Sequence, residues 1–341
     1  MAYNVAIVGI GMVGTEMLKV LRQRTFPADP LRVFARSSRT EEIAGEKVEV
    51  EAAAPEKFAG VDIAFFAGTE GAKGASQLYG WPAVEQGCLV VDNGDDFRMD
   101  DRVPLVVPEV NAEALRAHQG FIANPNCSTI QMIVALGPLH RAAGIRRIVV
   151  SSYQAVSGTG RAAVEELRAQ VPDALAGKAV PNEVYPHQIA FNALPHIGSL
   201  KPEMPGYYSE ELKMARETWK ILGDPEIRVS ATCVRVPVFN GHAEAVNVEF
   251  EKDVSPEEAR EILEGAPGVT VMDDPENAVY PTPLEVTGKD DVYVGRIRRD
   301  FSTENGLAMW VVGDNIRKGA AQNAVQIAEA AIETGCLKPR A

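Results

Sequence analysis

Cysteine is scarce in this chain: Cys88, Cys127, Cys233 and Cys336 are the only four in 341 residues, widely separated and without CxxC or Cys/His ligand spacing. Neither a disulfide framework nor a structural zinc site is expected, and the four read as reduced thiols. Long apolar runs are missing as well. None approaches the roughly 18 residues that span a bilayer. The opening MAYNVAIVGIG has neither the charged segment nor the cleavage site of a signal peptide, so a cytoplasmic protein without a membrane partner is expected. Positive charge is in deficit, with 34 Lys and Arg against 47 Asp and Glu for a formal net charge of -13, and no basic block is available to track a phosphate backbone. Nucleic acid is therefore not an expected partner. Repeats and low-complexity tracts are absent too.

What remains is 46% hydrophobic, enough to bury large cores and to divide into two domains. Val5 to Val8 form a short apolar run, followed by GIGMVG and a segment with Met17, Leu18 and Leu21 on one helical face; this reads as strand, glycine turn, helix. Further apolar runs at Leu31 to Ala35, Val61 to Ala67 and Leu89 to Val91, spaced for crossovers, predict a Rossmann-type, doubly wound parallel sheet. After the cysteine segment the runs lengthen and alternate in polarity, as in IRVSATCVRVPVFNGHAEAVNVEF and DVYVGRIRRDF, which suits a mainly antiparallel sheet, with a hairpin turn at the ENG that ends at Gly306. SPEEAREILEG predicts a surface helix with Ser255 as N-cap, Pro256 at its first position and Glu258 closing a capping box. DNIRKGAAQNAVQIAEAAIETG predicts a final helix ending near Gly335.

Gly9, Gly11 and Gly14 allow the backbone of the turn, including Met12 and Val13, to approach a pyrophosphate at a helix N-terminus. A glycine turn chosen only for helix-strand packing is the plain alternative. About 20 residues on, where an acidic residue would mark NAD, the strand ends in FARSSR. Arg36, with Ser37 and Ser38, suits a 2′-phosphate, so NADP is the expected cofactor.

FIANPNCSTIQMIVALGPLH places Cys127 between an Asn-Pro turn and a helix. A helix N-terminus stabilises a thiolate, the form that attacks a carbonyl carbon, whereas Cys88 and Cys336 read as small hydrophobes. Among five histidines, His242 stands in the polar FNGHAEAV loop, a candidate proton handler. Arg235 interrupts the apolar TCVRVPV; its fork fits a carboxylate. A nicotinamide cofactor with an attacking thiolate points to thioester chemistry, as in aldehyde dehydrogenases and acyl-phosphate reductases.

VPLVVPEVN, IANPNCSTIQM, SSYQAVSGTG, ELKMARETWKI, ATCVRVPV, GHAEAV and DNIRKGAAQNAVQIAE together resemble the bacterial, NADP-dependent aspartate-β-semialdehyde dehydrogenase family over nearly the whole chain. The resemblance implies reductive dephosphorylation of aspartyl β-phosphate in lysine, threonine and methionine biosynthesis, without a metal. Cys127 would be the acyl-accepting nucleophile, His242 the general acid/base and Gln154 the group that orients the intermediate. Arg235 would bind the substrate α-carboxylate, Glu210 rather than Glu211 its ammonium, and Arg98 and Lys213 the phosphate, with Asn126 a further substrate-binding residue beside the nucleophile. Ser157, Gly158 and Asn315 would lie near the nicotinamide, with Asn323 a further candidate. The implied organisation is an NADP-binding domain of residues 1–127 plus 315–341, an α+β catalytic and dimerisation domain of residues 128–314, and a homodimer.

Two stretches depart from the family pattern. In DNGDDFR, Gly94 and Asp95 stand where two small hydroxylated residues are usual, and PHIGSL replaces a more acidic and aromatic stretch. The glycine loop is also one residue shorter than the common form. The rival readings are N-acetylglutamyl-phosphate reductase, whose acylated substrate amine would not need Glu210, and a catalytically inactive NADP-binding paralogue.

Overall fold

The structure, a computed structural model, describes residues 2–68 and 74–337. The chain forms two compact units, Met1–Asn126 with Ala320–Ala341, and Cys127–Gly319.

The first unit contains β1 (Tyr3–Val8), β2 (Ala28–Ala35), β3 (Arg39–Ile43), β4 (Glu46–Ala52), β5 (Ile63–Phe66), β6 (Leu89–Asp92) and β7 (Phe121–Ala123), in sheet order β3-β4-β2-β1-β5-β6-β7. Every neighbouring pair except β3 and β4 is parallel, so the expected doubly wound sheet is present. Its central strands are uninterrupted apolar runs because both faces are covered. On one side α1 (Met12–Gln23) and the C-terminal helix (Gln322–Glu333) bring Met17, Leu18, Leu21, Val325 and Ala328 into one cluster with Ile7, Phe65 and Val91. Elsewhere in the unit Phe58 meets Phe34 at 5.3 Å and Phe66 at 5.9 Å between ring centres. Short helices α2 (Trp81–Glu85) and α3 (Pro108–Asn111) complete it.

The antiparallel β3–β4 hairpin was not expected. Its strands, RTEEI and EKVEVEA, are too charged to resemble the inner ones, but β3 is the edge strand and β4 its neighbour, and charge at a sheet edge discourages pairing with another chain. The turn between them uses left-handed backbone at Ala44 (φ 55°) and Gly45 (φ 84°), the geometry of a tight hairpin.

The second unit holds β8 (Ile145–Gln154), β9 (Arg228–Arg235), β10 (His242–Phe250), β11 (Val269–Val271), β12 (Val292–Arg299) and β13 (Gly306–Gly313), ordered β11-β12-β13-β10-β8-β9. The three inner pairings are antiparallel and the two outer ones parallel, which bears out the mainly antiparallel expectation; β12 and β13 form the hairpin closed before Gly306. α4 (Cys127–Ala143) packs on β8, β10, β12 and β13; it is apolar nearly all round, as a helix enclosed by its surroundings should be. α5 (Arg161–Leu175), α6 (Ser209–Leu222), α7 (Pro256–Glu264) and α8 (Pro283–Val286) follow. α7 has the expected capping box, with Glu258 N–H donating to Ser255 Oγ at 3.1 Å and Ser255 N–H to Glu258 Oε2 at 2.8 Å. Before the C-terminal helix the chain makes one wide helical turn, Arg317–Ala321, and Gly335 (φ 69°) follows the helix end. Among the described residues no helix is long and apolar enough to cross a membrane.

Candidate active site

Strand alternation in the second unit gives the buried face of its sheet an unusual end. Along β8, β9 and β10 the inward positions are apolar until Ser152 and Gln154, Cys233 and Arg235, and His242 and Glu244, all buried. Register aligns them: Gln154 pairs with Arg235 and His242 with Gly313, while one step deeper Ser152 pairs with both Cys233 and Glu244. Gln154 and His242, both expected in catalysis, thus share one row with Arg235, expected to bind the substrate carboxylate, at the ends of adjacent strands.

His242 is wholly buried. The Ala155 N–H donates to its Nδ1 at 3.0 Å, so a neutral ring carries its proton on Nε2. Burial, and secondly the Arg235 guanidinium, hold the imidazole well below its usual pKa. Arg235 donates from Nη1 to the Ala155 carbonyl at 2.5 Å; Arg235 Nε and His242 Nε2 have no hydrogen-bond partner among the described residues. Gly158 is the lid of this pair: a Cβ there would lie 3.2 Å from both Arg235 Nη1 and His242 Nε2.

Cys127, half-buried, opens α4. Its turn is tied to the row through its neighbour Ser128, whose Oγ accepts from Gln154 Nε2 at 2.7 Å. Gln154 also donates to Glu210 Oε1 at 3.2 Å, and Glu210 Oε2 stands 4.0 Å from Lys213 Nζ, one turn along α6. Glu211 is engaged elsewhere: Oε2 caps α6 by accepting from Tyr208 N–H at 2.8 Å, and Oε1 accepts from Cys233 N–H at 3.3 Å. Asn315, in this unit, bridges the loops around His242, since Oδ1 accepts from Gly241 N–H at 2.9 Å and Nδ2 donates to Ser157 Oγ at 2.9 Å. Asp314 supports that bridge by accepting from Asn240 Nδ2 at 2.8 Å and Gly288 N–H at 2.7 Å. Gly319 was missed from sequence: a Cβ there would be 2.8 Å from that of Cys127, so the RKGAA segment needs glycine for close approach.

In the first unit a cavity of about 930 Å³ is lined by Val8, Gly9, Gly11, Ala35, Arg36, Ser37 and their neighbours. These residues follow the carboxyl ends of β1 and β2, and the sheet changes direction between β1 and β5, where ligands bind open α/β sheets. The three glycines serve different ends. Gly9 has φ 98° and abuts Ala67 O; a Cβ on Gly14 would be 2.0 Å from Gly9 O; Gly11 has nothing within 4 Å. The close turn and the open space over Gly11, where α1 starts at Met12 and Val13, fit a dinucleotide pyrophosphate. Arg36 and Ser37 line the cavity as expected, but Ser38 does not: its hydroxyl accepts from Ala52 N–H at 2.8 Å, and Arg39, overlooked in the sequence, lines the cavity instead.

The unusual DNGDDFR loop lies in this unit. Gly94 is packed so that a Cβ would be 3.2 Å from Ser76 Oγ and from Asp92 Oδ1, and Ser76 donates to Asp92 at 2.6 Å. Burial raises the Asp92 pKa, offset in part by Ser76 and the Gly94 amide. Asp96 accepts from Gln77 at 3.3 Å. Arg98 is buried and oriented by the carbonyls of Asn124 (Nε, 2.9 Å) and Asn93 (Nη2, 2.8 Å). Asn126 is also buried. Asn323 Nδ2 donates to Asn124 Oδ1 at 2.7 Å and Val106 O at 3.0 Å, which fastens the C-terminal helix to its own unit. In the second unit, the altered PHIGSL stretch stacks His196 on Tyr208 at 4.5 Å.

Residues 4–118 match the semialdehyde dehydrogenase NAD binding domain and residues 136–318 the semialdehyde dehydrogenase dimerisation domain. The aspartate-semialdehyde dehydrogenase of Aquifex aeolicus is 52% identical, over 99% of this chain and 100% of that protein, and that of Bacillus subtilis 46% identical, over 96% of each. The crystal structure of aspartate semialdehyde dehydrogenase II from Vibrio cholerae complexed with ASA superposes with a TM-score of 0.91 at 45% identity, covering 98% of this chain and 99% of that one. Aspartate semialdehyde dehydrogenase with NADP from Candida albicans does so at 0.76 and 25% identity, covering 98% and 99%. With both domains matched and near full-length identity to several of its members, the chain belongs to the aspartate-semialdehyde dehydrogenase family.

Proposed function

We propose that this protein catalyses NADPH-dependent reductive dephosphorylation of L-aspartyl 4-phosphate to L-aspartate 4-semialdehyde through a thioester on Cys127, in lysine, threonine and methionine biosynthesis, as a cytoplasmic homodimer. The observation that carries this reading is the buried row of Gln154, Arg235 and His242, joined to the Cys127 turn by the Gln154–Ser128 hydrogen bond. Most of the residues proposed for the cofactor lie in the first unit and most of those proposed for the substrate in the second, whose bounds, Cys127–Gly319, differ by a few residues from the expected 128–314.

Cys127 Sγ attacks the β-acyl carbon at a helix N-terminus, which favours its negative charge, and the C–O bond to phosphate breaks. Lys213 offers the departing dianion a cation, and Arg98 is the other residue proposed for the phosphate. Gly9, Gly11, Met12, Val13, Gly14, Arg36 and Ser37 would hold NADPH, which would supply the hydride that reduces the thioester; Ser157 and Gly158 are further residues proposed for the cofactor. Gln154 orients the acyl group. His242 meets the acyl oxygen as an Nε2–H donor, because Ala155 occupies Nδ1 and burial opposes an imidazolium. Collapse then returns the electron pair to Sγ and frees the aldehyde. Arg235 clamps the α-carboxylate, and Glu210 takes the ammonium.

The test is NADPH formation, followed by absorbance, from aspartate semialdehyde, NADP and inorganic phosphate. Phosphate-dependent signal, reduced when NAD replaces NADP, is the expected result. Intact NADP binding with no turnover would turn the reading toward the acetylated-substrate reductase or an inactive paralogue.

A further inference from the structure

Directly beneath the proposed reactive row lies a polar pair for which that chemistry has no use. Glu244 is 0% exposed. It stands two residues after His242 on the same face of β10, while Gln131 sits one turn after Cys127 on α4. The Gln131 amide is the polar group that faces the carboxyl. Neither carboxyl oxygen, and neither amide atom of Gln131, closes a hydrogen bond of ordinary length and angle with any described residue. The neighbours in register offer no cation: Ser152 flanks Glu244 on β8 and Val311 on β13, with Cys233 beyond on β9. The Cys233 thiol is itself pushed up by burial and by surrounding carboxylates, and the nearest titratable group on the same strand, His242, is held neutral.

A carboxylate here would be an unpaired buried charge, which is costly. It could also accept only from Gln131 Nε2, leaving one of its oxygens against the amide oxygen. A carboxylic acid solves both problems: its O–H donates to Gln131 Oε1 while Nε2–H donates back to its C=O. Gln131 is confined to this position, since its Oε1 lies 2.9 Å from where a Gly313 Cβ would be, and Gly313 is the register partner of His242.

We propose that Glu244 works as a neutral carboxylic acid paired with Gln131, a positioning residue that fixes the Cys127 turn of α4 relative to His242 on β10. It touches no reacting atom, and the assignment rests on the reading above. The pair would explain why a sheet face otherwise apolar at this depth keeps an acid.

The full-length protein is compared with E244A and E244Q, since glutamine can form the same cyclic pair. Three readouts are taken: kcat and KM, the rate at which iodoacetamide alkylates Cys127, and the protonated-carboxyl band in isotope-edited infrared at neutral pH. E244A should lose roughly 100-fold in kcat, the scale of a misplacement of about 1 Å, with KM little changed and alkylation altered, while E244Q restores both rates. The wild type should show a protonated-carboxyl band that E244Q removes. E244Q as impaired as E244A, an unimpaired E244A, or absence of the band would each overturn the pairing. If the wild type lacks phosphate-dependent turnover the proposed function fails, but alkylation and infrared still decide the pairing.

Discussion

Replacing Gly14 with alanine should damage the fold, and replacing Gly11 should damage only cofactor binding. The methyl carbon of G14A would start 2.0 Å from Gly9 O and 3.0 Å from Gly9 C, well inside the roughly 3.5 Å at which non-bonded heavy atoms rest. Gly9 cannot retreat, because its own Cβ position is 2.8 Å from Ala67 O. Relief requires α1 to slide off β1, disturbing Met17, Leu18 and Leu21 in the core. Overpacking of this kind costs about 3 kcal/mol, or roughly 6–12 °C of melting temperature for a domain of this size. G11A meets nothing within 4 Å and has φ −75°, so its cost is the roughly 0.5–1 kcal/mol that separates Gly from Ala at an N-cap, with a shift of about 1–4 °C. Its methyl group, however, stands in the lining of the cavity, and the NADP dissociation constant should rise at least about tenfold, equivalent to about 1.4 kcal/mol. Thermal unfolding by circular dichroism and NADP titration by calorimetry measure the two effects separately. A G14A protein that melts with the wild type, or a G11A protein that binds NADP as tightly, would refute this division of labour.

C127S should abolish phosphate-dependent turnover while leaving NADP affinity nearly intact, as a calorimetric titration beside the absorbance assay would reveal; undiminished activity would end the thioester route. R235K loses the fork that reaches Ala155 O, so KM for aspartate semialdehyde should rise about tenfold or more, with a smaller loss in kcat; steady-state kinetics decide. The Glu244 carboxyl is raised well above 4.5 by burial, so the native state keeps a proton that the unfolded chain releases as pH rises. This stabilising contribution is complete below the unfolded value and is lost at up to about 1.4 kcal/mol per pH unit as pH climbs toward the folded value. Relative to wild type, E244Q should therefore gain stability between pH 5 and pH 7, and urea unfolding at both values should show the gap widening.

The features readable in the sequence are those in which local pattern and tertiary setting agree. GIGMVG could be read because strand, turn and helix are contiguous, and the α7 capping box because its partners are three residues apart. The β3–β4 hairpin escaped notice because its alternation runs through Glu and Lys, and only its place at the sheet edge makes that composition sensible. The reactive residues were legible as residue types in unusual company: a cysteine after an Asn-Pro turn, an arginine in an apolar strand. Their convergence depends on the register of β8, β9 and β10, which no local window contains. Glu244 gave no such signal: FNGHAEAV was read as a polar loop, whereas His242 opens β10, and nothing local said that the inner face of that strand would be sealed by α4. Ser38 shows the converse: its type suited a cofactor, but the Ala52 amide claims its Oγ.

The cofactor-side unit is discontinuous in sequence, and this sets an order of events during synthesis. Ala324, Val325, Ile327, Ala328 and Ala331 belong to the same core as Ile7, Val91 and Ile122, but the ribosome makes them after the whole of the second unit. Until the C-terminal helix emerges, that side of the parallel sheet has α1 without its neighbouring helix, whereas Cys127–Gly319 has every strand it needs. The later-encoded unit can therefore complete its core first, and the glycine turn, although it precedes that unit in the chain, gains its finished support only once the C-terminal helix has been made.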